Sequence, residues 1–181
     1  MSADDRTRWD GRYAQRAPAT VADAVLPAVF TPYADAFPLD GHALDLACGR
    51  GLAATWLARR GLTVAAFDVS PVAIDQARDL AHRCGVAQHC RFEAVDLDDG
   101  LPAGPPANVI VCLRFRDSRL DQAVVERLAP SGLLAISALS EVGGTAGPFR
   151  VAAGELERAF PTLDVLTAGA ADGEAWLLGR K

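Results

Sequence analysis

Five carboxylate and glycine positions between residues 45 and 96 have types and spacing suited to ligand chemistry. Asp45 lies in the run HALDL, Gly49 and Gly51 follow within the turn ACGRG, Asp68 ends the run TVAAFD, and Asp96 ends CRFEAVD. Glycines in such a turn let a ligand approach the backbone closely. Gly49-x-Gly51-x-x-Ala54 satisfies a loose dinucleotide fingerprint, and Asp68 lies nineteen residues after Gly49, where a carboxylate accepts from ribose hydroxyls. A pyrophosphate, however, is repelled by carboxylates at Asp45 and Asp96, which attract a cation instead. The chain also ends in a hairpin pattern rather than a second mononucleotide-binding half. A nucleoside carrying positive charge therefore fits these residues better than a dinucleotide.

The elements that must position them alternate. HALDL reads as a strand and Gly51–Arg60 as a helix, with Leu52, Ala53, Trp56 and Leu57 on one face and Gly61 as its cap. TVAAFD is a second strand. Ser70-Pro71 opens a helix, with Ser as N-cap and Pro in the first turn, and Ala73, Ala77, Leu80, Ala81 and Cys84 form its inward stripe. CRFEAVD alternates as a third strand, and NVIVCL reads as a strand buried on both faces. A helix is expected from Asp117-Ser118, then a turn at Pro130 and Gly132, the strand LLAIS, the short helix AGELERAF, and the strands LDVLTA and EAWLLG around an Asp172-Gly173 turn. The order predicts an α/β fold: a Rossmann-like mixed sheet of seven strands, mostly parallel with the last antiparallel, and helices on both faces. Residues 1–181 form one domain, with 1–38 as an N-terminal helical cap and 42–181 as the core. Trp9 and Tyr13 share a helix face in the cap.

Composition narrows the class. The 181 residues are 50% hydrophobic and 23% charged, enough for one core. The formal net charge is −5 and the single lysine is Lys181, which argues against a nucleic-acid partner. No apolar run has the length of a membrane span. The charged start MSADDRTRWDGRYAQR does not read as a secretory signal, and the four cysteines lack CxxC spacing, so a reduced, cytoplasmic setting is expected. The stretch HRCGVAQHC gathers His82, Cys84, His89 and Cys90 in no common zinc spacing; it reads as a helix end with Gly85 as cap, and no metal is expected.

LDLACGRG resembles the first motif of the class I S-adenosylmethionine-dependent methyltransferases, VAAFDVSPVAIDQAR the strand, acid and helix that follow it, and FEAVDLDD the segment that holds adenine. GPFRVAAGELERAF and the short C-terminus resemble the small tellurite-resistance and thiopurine-type branch. The resemblance implies S-adenosylmethionine as cofactor, S-adenosylhomocysteine as product, and a small-molecule acceptor, with the protein a monomer or homodimer. It implies that Asp45 and the backbone of Ala47, Cys48 and Gly49 face the methionine ammonium, and that Gly49 and Gly51 let the backbone pass beneath the cofactor. Asp68 would take the ribose hydroxyls, Val69 would pack on adenine, Asp96 and the Leu97 N–H would meet the adenine edge, and the Cys112 carbonyl would lie near the sulfonium. WDGRY resembles a segment that closes over the cofactor, which brings in Trp9 and Arg12.

Competing roles stay open for each. Asp45 and Asp68 are also placed to cap the helices that follow them, Asp98 and Asp99 rival Asp96, and Trp9 is equally an anchor for its helix. No histidine is well placed as a base: His42 precedes the first strand, and His82 and His89 belong to the wrong end of the sheet. The expected acceptor is therefore soft or anionic, such as a thiol or oxyanion, and needs no base. Arg114, Arg116, Arg150 and Phe149 are the candidates for the acceptor site, against the alternative that the arginines pair with Asp117 or Glu141. A cofactor-binding protein without transfer activity is the second reading, and an NAD enzyme the third.

Overall fold

The computed structural model describes residues 3–145, 147 and 150–181. Twelve elements alternate along the chain: α1 (Ala3–Ala14), β1 (His42–Leu46), α2 (Leu52–Arg59), β2 (Thr63–Asp68), α3 (Pro71–Arg83), β3 (Cys90–Ala94), β4 (Ala107–Cys112), α4 (Asp121–Arg127), β5 (Leu128–Leu139), α5 (Glu155–Ala159), β6 (Asp164–Ala171) and β7 (Glu174–Arg180). The strands form one sheet in the order β3-β2-β1-β4-β5-β7-β6. β1 pairs in parallel with both β2 and β4, and β7 runs antiparallel between β5 and β6. The strand order reverses at β1 and β4, and ligands of open α/β sheets bind beyond the carboxyl ends of the strands at such a point.

Period-two alternation builds the two layers. Ala43, Val109, Val111, Leu133 and Ala135 face α2 and α3, while Leu44, Leu46, Ile110, Leu134 and Ile136 face the layer of α4 and α5. The inner face of α2 is almost all alanine, with Ala53, Ala54 and Ala58 buried beside Leu57, so that helix approaches the sheet closely. Ser70 caps α3 as its type suggests: its Oγ accepts from the Ala73 N–H at 3.1 Å, and Pro71 occupies the first turn. The hairpin turn takes the expected positive φ at both Asp172 (51°) and Gly173 (78°).

Three boundaries differ from the sequence expectation. β3 stops at Ala94, because Asp96 caps a 3-10 turn over Leu97–Asp99 through its side chain. Asp117 caps another such turn, Ser118–Leu120, so α4 starts only at Asp121. β5 extends back through Pro130 and Gly132, with its pairing to β4 shifted in register between Ala107 and Val109. The turn residues bend the strand without ending it.

The N-terminal segment supplies part of the core. Leu26, Phe30 and Phe37 are buried with Leu57, Leu62 and Val64. Phe37 meets Trp56 edge-on at 5.3 Å, and the Arg60 guanidinium both covers Trp56 and donates to the Phe37 carbonyl at 3.0 Å. Phe30→Ala is expected to cost about 3–5 kcal/mol in urea unfolding. A loss below about 1 kcal/mol would show that this segment does not belong to the cooperative core.

Candidate functional site

A cavity of about 630 Å³ opens at the carboxyl ends of β1, β2 and β4, a size suited to a small ligand. Its floor holds Asp45, Ala47, Cys48, Gly49, Asp68 and Val69; α1 contributes Trp9, Arg12 and Tyr13 on the other side, and Arg16 follows just beyond the helix end. Trp9, Arg12 and Tyr13 share a face of the helix by their spacing. Trp9 stacks on Tyr13 at 5.8 Å, and Arg12 lies over the Trp9 ring and Arg16 over Tyr13.

The floor is shaped by two buried carboxylates. Asp68 accepts from the Gly49 N–H at 2.8 Å through one oxygen and from the Ser70 N–H at 2.9 Å through the other. Asp45 accepts from the Ala54 N–H in the first turn of α2 at 3.0 Å. The helix-capping role and a ligand role therefore coexist, since an ionised carboxylate has about four acceptor positions and each is only partly used. Burial pushes the Asp45 carboxyl up to about 8, the Ala54 N–H opposes the shift and the nearby Asp68 adds to it. Burial also raises Asp68. The same burial lifts the Tyr13 phenol and the Cys48 thiol well above their ordinary ranges, so both stay neutral.

The two glycines of the turn have different neighbours. A Cβ on Gly49 would meet the Tyr13 hydroxyl at 2.8 Å, on the α1 side of the turn. Gly51, at φ 72°, would direct a Cβ into Ala77 of α3 and Phe92 of β3 at 2.7 and 2.9 Å. Gly51 is a glycine so that α2, α3 and the sheet can close together, and it does not line the cavity.

Other expected residues separate in the same way. Trp9, Asp45, Ala47, Cys48, Gly49, Asp68, Val69 and Arg114 meet in the cavity. Leu97 is buried in the core beneath β4, and Asp96 is occupied as a cap to the Asp98 N–H. Neither lines the cavity, and nor does Cys112, whose buried thiol reaches the Phe115 carbonyl. Arg116 is a correction: its nearly buried guanidinium pairs with Asp121 through two contacts of 2.5 and 2.8 Å, beside α4 and away from the cavity. Neither of its expected partners, Asp117 or Glu141, is the one used; Asp117 pairs with Arg119. Arg150 donates to the Ser140 carbonyl at 2.7 Å and ties down its own loop. Phe149 lies outside the described residues.

Sequence reasoning left out Tyr13, Arg16, Arg50, Glu174 and Leu139, all of which line the cavity. The Trp9–Tyr13 spacing was the available signal for α1. Nothing local marks its docking, which rests on the Gln76 amide donating to the Tyr13 carbonyl at 3.0 Å, Arg50 donating to the Ala17 carbonyl at 2.8 Å, and a contact between Asp10 and Ser70 Oγ.

The raised carboxyl of Asp45 has a consequence for stability. In the unfolded chain it titrates near 3.9, and in the folded protein at about 8. The folded state binds the extra proton between these values, so this group's contribution is fully present below pH 4 and is lost as pH rises toward 8 and beyond. Asp45→Asn keeps an acceptor for the Ala54 N–H but cannot ionise. The variant is expected to gain more than about 1 kcal/mol on the wild type between pH 5 and pH 8.5 in denaturant melts. A constant difference across that range would place the titration of Asp45 elsewhere.

Comparison with known proteins agrees with this geometry. Residues 43–132 match the family described as a methyltransferase domain. A ubiquinone biosynthesis O-methyltransferase of Xylella fastidiosa is 34% identical over 110 residues, a match covering 57% of this chain and 44% of that protein, so the chain spans less than half of this relative's length. The fold resembles that of TehB from Haemophilus influenzae at a TM-score of 0.76 and 17% identity, over 96% of this chain and 67% of that one. It also resembles a methyltransferase from Geobacter sulfurreducens solved with S-adenosylhomocysteine, at a TM-score of 0.66 and 22% identity, over 93% and 75% of the two chains. The family match and the seven-stranded order with β7 reversed agree. The chain belongs to the class I S-adenosylmethionine-dependent methyltransferases.

Proposed function

We propose that this chain binds S-adenosylmethionine in the cavity above β1 and β2 and transfers its methyl group to a small, soft or anionic acceptor. The observation that carries the reading is the pair of buried carboxylates, Asp45 and Asp68, with free acceptor capacity beneath an open cavity. Two buried acids without a cationic partner are costly, and a cationic ligand removes that cost. The residues fit the cofactor at its methionine and ribose ends. Asp45 faces the ammonium together with the backbone of Ala47, Cys48 and Gly49. Asp68 retains lone pairs for the ribose hydroxyls, and Val69 offers an apolar surface to adenine. In this reading the adenine edge extends past Val69 toward Asp96 and the Leu97 N–H, one strand further along the sheet.

S-Adenosylmethionine supplies a methyl carbon on a positively charged sulfur, so attack by an acceptor lone pair returns the C–S electron pair to sulfur and leaves a neutral thioether. The protein's part is alignment and exclusion of water, which together can account for roughly 7–11 kcal/mol of barrier. Among the described residues lining the cavity there is no histidine or lysine, and the phenol of Tyr13 is neutral and held so by burial. An acceptor that arrives with its lone pair free suits such a site. The finer placement, in the tellurite-resistance and thiopurine-type branch, is supported by GPFRVAAGELERAF and by the WDGRY segment of α1 over the cavity.

S-Adenosylhomocysteine is expected to bind the folded wild-type protein in calorimetry at micromolar concentration, with NAD giving no heat. Asp68→Ala is expected to weaken that binding by about 1.5–3 kcal/mol, the scale of hydrogen bonds to a charged group. Unchanged affinity in a folded variant would move the ribose away from Asp68.

A further inference from the structure

Arg114 follows β4 at the edge of the cavity opposite α1, and its backbone takes φ 58°. A non-glycine residue in the left-handed region is strained, and such strain persists where surrounding contacts enforce it, often at functional positions. Here the enforcing contact is Ser137, buried in β5, whose Oγ accepts from the Arg114 N–H at 3.0 Å. Glycine at this position would remove the strain and keep the same hydrogen bond. What only arginine adds is the guanidinium.

That guanidinium is barely committed. Its Nε stands 3.8 Å from Glu174 at the start of β7, beyond hydrogen-bond distance, and its side chain is 68% exposed. The other cavity arginines are engaged: Arg12 and Arg16 lie over aromatic rings, and Arg50 holds the Ala17 carbonyl. Arg116, two residues on, is consumed by Asp121. The cavity lining also carries the apolar side chains of Leu26, Leu113, Phe115 and Leu139.

We infer that Arg114 is the specificity-determining residue for the acceptor, that it selects an apolar-bodied molecule carrying a carboxylate, and that Ser137 is its positioning residue. A guanidinium presents paired donors that match a carboxylate. Glu174 balances the charge while the site is open and gives way to the acceptor's carboxylate. The inference rests on the methyltransferase reading for the identity of the neighbouring site.

The test uses two aromatic thiols of the same shape, 4-mercaptobenzoate and 4-mercaptobenzamide, titrated by calorimetry into full-length protein saturated with S-adenosylhomocysteine. The wild type is expected to bind the carboxylate at least tenfold more tightly than the amide. In Arg114→Gln and Arg114→Gly the ratio is expected to fall to about one, with S-adenosylhomocysteine affinity unchanged. Arg114→Gly is also expected to melt at a higher temperature than the wild type, and Glu174→Gln to bind the carboxylate more tightly. Equal affinity for the two thiols, no binding of either, or a preference retained in both Arg114 variants overturns the assignment. Failure of S-adenosylhomocysteine to bind the folded wild type overturns the cofactor reading itself, and this assignment with it.

Discussion

The carboxylate of Asp68 holds two loops in one arrangement. One oxygen takes the N–H of Gly49, in the turn between β1 and α2, and the other takes the N–H of Ser70, at the start of α3. Ser70 in turn caps α3 and contacts Asp10 of α1. The glycine turn and the start of α3 thus converge on one buried side chain, and α1 joins them through Ser70. Removing it would leave the Gly49 N–H without its partner in the interior, which costs more than the hydrogen bond itself contributes.

The same arrangement creates an electrostatic tension. Asp45 lies beneath the turn and caps α2, so two acids share a poorly solvated floor. Burial is the larger cause of the raised Asp45 carboxyl, and the neighbouring Asp68 adds to it. The folded protein accommodates this by holding a proton. A cation entering the cavity can take that proton's place, and so the floor is selective for positive charge even though the protein already carries a net charge of −5. The rim has the opposite character, with arginines from α1, from the glycine turn and from the end of β4. An acidic floor beneath a basic rim divides the cavity into a place for a cation and a place for an anion.

Much of this was legible in the sequence because it follows from local rules. Short apolar runs marked β1, β2 and β4, alternation marked β3, Ser70-Pro71 marked the start of α3, and Asp172-Gly173 marked the final hairpin. Of the three strand-end acids, Asp45 and Asp68 line the cavity and Asp96 does not. What was not legible depends on packing between distant segments. Gly51 looks like a ligand glycine, but its missing side chain is required by Ala77 and Phe92, which only the assembled α3 and β3 bring near. Arg114 and Arg116 are equivalent in the string LRFRD. A left-handed backbone at Arg114 sends one toward the cavity while Asp121 captures the other. The helix α1 carries its aromatic and arginine face in readable spacing, yet its seat is fixed by bonds to its backbone carbonyls, which no residue pattern announces.

The central claim is that the ammonium of the bound ligand ionises Asp45. Calorimetric titration of S-adenosylhomocysteine at pH 7, in two buffers of different ionisation enthalpy, counts the protons exchanged. With the Asp45 carboxyl at about 8 in the free protein, the account predicts release of close to one proton per site, vanishing above about pH 9 and absent in Asp45→Asn. Binding with no proton exchange at pH 7, or with proton uptake, would contradict it.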